Sequence, residues 1–184
     1  MMRIEDLNAL EGDEATRAFL RCCGSSRWAE TMAAARPFET AAAMAVAADT
    51  IWWSLDRESW LEAFAAHPKI GAGGVGGAGR AGEAGRPGAS RGPEWSDEEQ
   101  AGVGGADDET RRRLADANRD YEARFGYMFI VCATGKTAGE MLALLERRLR
   151  HDAGEELRIA AQEQRTITQI RLRKLLGQEL DITS

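Results

Sequence analysis

A chain of 184 residues that is 43% hydrophobic and 29% charged has the length and balance of one soluble globular domain with its own core. Its net charge of -6 argues against nucleic acid or an anionic membrane as the main partner, while leaving room for a local basic pocket that takes an anionic metabolite. The most apolar early run, Ala41 to Ala48, is too short to span a bilayer. The first residues lack a signal-peptide core, the last four match no retention or peroxisomal signal, and three cysteines make no disulfide framework. A reduced, cytoplasmic setting is the expectation.

In chain order, Asp13 is expected to cap a first helix with Phe19, Leu20 and Cys23 turned inward and Gly24 as its stop. Ser25 and Ser26 restart a short helix bearing Trp28 and Met32, ended by Arg36-Pro37-Phe38. Thr40 opens an alanine-rich helix with a stripe of Met44, Ala48, Ile51 and Leu55. Asp56 caps the next helix, where Trp60 and Phe64 share a face, and Pro68 forbids helical backbone at His67. From Gly71 to Gly92 the chain turns to Gly, Ala and Arg, which bury too little apolar surface to offset the entropy of ordering; a flexible loop is predicted at about 71–92. Gly71, Gly73 and Gly76 formally match a dinucleotide fingerprint, but a helix-ending proline precedes them and more glycine follows, where the motif needs a strand and a helix.

Beyond the loop, Ser96 and Glu99 form a capping box. Asp108 or Thr110 opens a longer helix with Leu114, Ala117, Tyr121 and Phe125 on one face, broken at Gly126. Tyr127 to Ala133 has the composition of a buried strand, but no second strand exists to pair with it, so a buried extended or irregularly helical segment is expected. Gly135-Lys136-Thr137 is no P-loop, because Ile130 stands where that motif requires glycine. Thr137 and Glu140 form a second capping box before a helix with Met141, Leu145 and Leu149. A last helix runs from about Glu155 to Leu176, with Ile167 and Ile170 inward and Gly177 beyond its end. The fold class is all-α, a single-domain helical bundle over residues 1–184.

The residue types leave the chemistry open. His67 and His151 lie in different elements, and no Cys-x-x-Cys or His-x-x-x-His spacing suggests a metal. Cys22, Cys23 and Cys132 sit in apolar contexts, where thiols are inert packing. His67, beside a rigid turn, suits acid–base work, or equally suits capping carbonyls at a helix C-terminus. Ser96 and Glu99 are accounted for by capping, Trp95 and Gln100 by packing, and Arg124, Arg171 and Arg173 by solvated helix faces. Arg147, Arg148, Arg150 and His151 read as a cluster complementing a helix dipole.

Several short motifs, in one order along nearly the whole chain, resemble the OHCU decarboxylase family, which acts on 2-oxo-4-hydroxy-4-carboxy-5-ureidoimidazoline between urate and (S)-allantoin. They are Cys-Cys-Gly-Ser-Ser-Arg-Trp at 22–28, Met32 with Arg36-Pro37-Phe38, Trp60 through His67-Pro68-Lys69-Ile70-Gly71, and Ser96-x-x-Glu99-Gln100. Asn118-x-x-Tyr121 leads on to Arg-Phe-Gly-Tyr-Met-Phe-Ile-Val-Cys-Ala133, then Gly135-Lys136 and Leu145 to Leu149. Glu163-Gln164, Ile167-Thr168 and Ile170-Arg171-Leu172 close the series. The resemblance implies an all-α, dimeric enzyme without metal or organic cofactor. It implies that His67 is the catalytic acid/base and works with Glu99 on the 4-hydroxyl proton. Pro68, Ser96 and Gln100 would meet the substrate, main-chain groups of Val131, Ala133 and Gly135 would close the site, and Arg171 or its neighbour Arg173 would engage the anion. The glycine-laden loop departs from the family's shorter link. Two rival readings keep the fold but change the role: a binding module for a purine-derived ligand, and a lyase on a related ureido-imidazole.

Overall fold

Short polar side chains start most of the helices. In the computed structural model, which describes residues 2–67 and 106–177, the elements are α1 (Ile4–Ala9), α2 (Gly12–Cys23), α3 (Ser26–Ala34), α4 (Ala41–Ser54), α5 (Arg57–Ala65), α6 (Asp108–Phe125), α7 (Ala138–Arg148) and α8 (Ala153–Leu175). There is no strand among the described residues, as the all-α expectation requires. Ser25, Thr40 and Asp56 cap α3, α4 and α5 as expected, each accepting a main-chain N–H of the first turn. Thr137 and Glu140 make the reciprocal capping box at α7.

Some boundaries differ from the sequence expectation. Six residues before α2 form the unexpected α1, whose C-terminal carbonyls are held by Arg36: its Nη1 donates to Leu7 O at 2.9 Å and Leu10 O at 2.7 Å. α2 starts at Gly12 with Glu11 in the cap position, so Asp13 lies within the first turn. Leu20 is 37% exposed rather than inward, since the buried face is set by Ala15, Ala18, Phe19, Cys22 and Cys23. Asp107, not Asp108 or Thr110, caps α6, and Asp152 starts α8 before Glu155. The Gly-rich segment at about 71–92, together with Pro68, Ser96, Glu99 and Gln100, lies outside the described residues.

α8 packs against α2, α4 and α5, and so runs through the middle of the N-terminal helices. Indoles tie α3 and α5 to α4, and α4 to α8. Trp28 Nε1 donates to Ala48 O at 3.1 Å, Trp52 Nε1 to Ala161 O at 3.0 Å, and Trp60 Nε1 to Trp52 O at 3.0 Å. Trp28 and Trp52 thus bury their rings, and Trp60 half-buries its own, while each donor is satisfied; full burial of a large side chain stabilises by about 1.5–3 kcal/mol.

Tyr127 to Ala133 joins α6 to α7 as a buried, non-helical segment. Its composition is strand-like, yet side chains rather than a neighbouring strand take up its polar backbone. Arg148 Nη1 donates to Ile130 O at 2.8 Å, Cys132 N to Glu163 Oε2 at 2.7 Å, and Lys136 Nζ to Cys132 O at 2.7 Å. Arg148, read from the sequence as part of a cluster complementing a helix dipole, is thus turned inward. It is 3% exposed, lies over the Phe129 ring, and donates from Nε to Glu156 Oε1 at 2.8 Å. Glu156, fully buried, also accepts from Tyr121 and is joined by His151 Nδ1 at 2.8 Å.

Candidate active site

The end of α2 and the end of α5 meet over the middle of α8. Gly24 ends α2 with φ +84°, and a Cβ built there would stand 2.5 Å from Ala66 Cβ and 3.4 Å from Ala63 O. Only glycine allows this approach, which sets Cys23 O and His67 beside the same residue of α8, Gln164. His67 itself is held by a tightened last turn, its N–H donating to Phe64 O at 3.2 Å. Its ring reaches across to α8: Nε2 lies 2.6 Å from Gln164 Oε1. Gln164 is fully buried and donates from its amide nitrogen to Cys23 O and to Thr168 Oγ1, both at 3.2 Å.

Burial pulls the pKa of the half-buried His67 from 6.5 down to about 4. The positive charge of Arg171 acts in the same direction, and the bond to Gln164 partly opposes both. At neutral pH the imidazole is uncharged. Arg171 is only 2% exposed, one helical turn on from Thr168, whereas Arg173 faces solvent. Burial also raises the Cys22 and Cys23 thiols to about 12, so neither is a thiolate nucleophile at neutral pH. Among the described residues no group of three or more His, Cys, Asp or Glu side chains could hold a metal ion, and no helix is long and apolar enough to cross a membrane.

Residues 8–173 match the profile of the OHCU decarboxylase family. The chain belongs to the OHCU decarboxylase family. Among curated relatives, the uric acid degradation bifunctional protein TTL of Arabidopsis thaliana is 33% identical over 168 residues, covering 89% of this chain and 48% of that protein. The 2-oxo-4-hydroxy-4-carboxy-5-ureidoimidazoline decarboxylase of Haloferax volcanii is 27% identical over 179 residues, covering 97% and 98%. The chain thus spans about half the length of the Arabidopsis relative and nearly all of the Haloferax one. A crystal structure of OHCU decarboxylase in the presence of (S)-allantoin superposes with a TM-score of 0.72 at 32% identity, over 91% of this chain and 99% of that one. A crystal structure of (S)-allantoin synthase, with a TM-score of 0.68 and 19% identity over 95% of this chain and 54% of that one, shares the fold.

Of the site residues expected from the resemblance to OHCU decarboxylases, His67 and Arg171 come together on the Gln164 face of α8. Val131 and Ala133 are buried in the segment that Glu163, the neighbour of Gln164, ties to α8 through Cys132 N. Gly135 follows at φ +76°. Pro68, Ser96, Glu99 and Gln100 are outside the described residues. Sequence reasoning gave no role to Gln164, Thr168 or Glu163. The signal was present: Gln164, Thr168 and Arg171 fall at i, i+4 and i+7, a polar stripe on an inward helix face. A groove of about 440 Å³ between Trp53, Trp60, Arg158, Ile159 and Gln162 contains none of these groups. Gln162 stands about 200° round α8 from Gln164, so the groove opens away from the imidazole.

Proposed function

We propose that the protein converts 2-oxo-4-hydroxy-4-carboxy-5-ureidoimidazoline to (S)-allantoin in urate degradation. The observation that carries this reading is the convergence of a neutral His67, buried Gln164 and buried Arg171 on one face of α8, in a chain that matches the family over residues 8–173. In the reaction the bond from ring C4 to the carboxylate breaks and carbon dioxide leaves. The electron pair passes into the ring as an enol, and one proton added to one face of it gives the (S) product. The ring itself accepts the electron pair, so the reading calls for neither metal nor organic cofactor.

His67 takes up the 4-hydroxyl proton, sharing that work with Glu99. Arg171 holds the anionic substrate and stabilises negative charge as it develops on the ring. Its burial favours it for this role over the exposed Arg173. Pro68, Ser96 and Gln100 contact the substrate, and main-chain groups of Val131, Ala133 and Gly135 close the site. The reading includes a cytoplasmic homodimer. The cytoplasmic part rests on the free, buried thiols of Cys22, Cys23 and Cys132, the dimer on the resemblance alone.

The test is circular dichroism of the allantoin formed from urate, with uricase and hydroxyisourate hydrolase supplied. Rapid appearance of optically active (S)-allantoin with this protein, lost in His67→Asn, is the expected outcome. Slow, racemic allantoin with and without the protein would overturn the assignment.

A further inference from the structure

We infer that Gln164 fixes the tautomer of His67, placing the ring proton on Nε2 and the working lone pair on Nδ1. Resting on the decarboxylase reading, the inference makes Gln164 a positioning residue and names the atom of His67 that exchanges the substrate's proton. The argument starts two contacts away. Cys23 O is a main-chain carbonyl and can only accept, so the group of Gln164 that lies 3.2 Å from it must be the amide NH2. The second contact of that nitrogen, to Thr168 Oγ1 at 3.2 Å, is compatible because a hydroxyl accepts as readily as it donates. The carbonyl end of Gln164 is thereby turned to His67, 2.6 Å from Nε2.

A carbonyl oxygen cannot donate, so Nε2 must carry hydrogen. The nearby charge of Arg171 and the burial of the ring keep the imidazole neutral, which leaves Nδ1 without a proton. The orientation is rigid because Gln164 has no solvent exposure and all three of its partners belong to packed helix ends or to its own helix. An oriented neutral imidazole needs no tautomer exchange before it accepts the hydroxyl proton, the service a buried carboxylate performs in hydrolase triads. The proton taken from the 4-hydroxyl lies on Nδ1 of the transient imidazolium, and the repulsion of Arg171 favours its release, which restores the neutral ring as the 4-oxygen becomes a carbonyl.

The chain has two histidines, so nitrogen spectra of the whole protein labelled with ¹⁵N-histidine contain two rings, and His67→Asn assigns them. Long-range proton–nitrogen correlation at pH 7.5 is expected to show the His67 ring neutral, with Nε2 protonated and Nδ1 bare. A neutral ring protonated on Nδ1, or an even mixture of tautomers, would overturn the inference. Gln164→Met removes the acceptor; mixed tautomers are then expected, with kcat falling at least about 10-fold, within the ~10²–10⁴ that acid–base catalysis supplies, and with little change in KM. A folded Gln164→Met protein with unchanged kcat would also overturn it. If that variant does not fold, the wild-type spectrum decides. Bare Nδ1 in a protein that makes no (S)-allantoin would uphold the tautomer and sink the decarboxylase reading, so the two failures are told apart.

Discussion

His67 enters the site uncharged, and this has consequences on both sides of the folding equilibrium. An ordinary histidine loses its neutral form as pH falls through about 6.5. Because burial and Arg171 hold the folded pKa at about 4, kcat/KM is expected to persist through pH 6 and to fall only as pH nears that lower value. A profile that drops with a midpoint near 6.5 would contradict the environment described for the ring. The stability effect has the opposite cost. The unfolded chain binds a proton at His67 below about 6.5 while the folded protein does not until about 4, so His67 destabilises the fold progressively as pH falls across that window. Thermal melts should therefore show a smaller acid loss between pH 6.5 and 4 in His67→Asn than in the parent. His67 was visible in the sequence as one of two histidines, but nothing local to it shows the partner of its ring. That partner lies 97 residues away.

Helix starts were legible because caps are local: Ser25, Thr40, Asp56 and Thr137 each accept from an N–H three residues on. Helix ends at glycine were legible for the same reason, but the demand on each glycine differs. Gly24 and Gly126 both stop a helix with positive φ, at +84° and +80°. A Cβ at Gly126 would meet nothing within 4 Å, whereas one at Gly24 would strike Ala66 on the His67 side of α5. Gly126→Ala is expected to cost only the left-handed penalty, about 1–2 kcal/mol. Gly24→Ala should cost a further 1–3 kcal/mol or so of overpacking and reduce kcat as well, since relief of the clash moves the end of α5. Urea denaturation of the two variants, with activity measured on each, checks this. Equal losses would mean that the close approach at Gly24 is not limiting. The segment Tyr127 to Ala133 shows the limit of local reading: its composition is that of a strand, and only Arg148, Glu163 and Lys136 explain why it needs no strand beside it.

Across the whole molecule, the buried Arg148, Glu156 and Tyr121, with the half-buried His151, tie α6, α7 and α8 to the segment that runs towards the site. Glu156→Gln leaves the Arg148 cation buried with its counter-charge gone, a change that costs about 3–5 kcal/mol and lowers Tm by roughly 6–20 °C in a protein of this size. Arg148→Met combined with Glu156→Leu removes both charges and should recover a large part of that stability. It should not recover activity equally, because Ile130 O loses the donor that holds its segment in place. Calorimetry and turnover on the single and double variants test the pair. Full recovery of turnover in the double variant would show that Arg148 does not position the segment.

The sequence by itself determined the all-α class, most helix limits and the order of motifs that places the chain in its family, because caps, glycine stops and periodicity act over a few residues. It also marked His67 and a late arginine as the pair to watch. Only the tertiary structure buried Arg171 while leaving Arg173 exposed, paired Arg148 with the buried Glu156, and set Gln164 against His67. Each of these depends on which distant side chain arrives at which face of α8, and burial and charge act through that meeting in space rather than through neighbours in the chain.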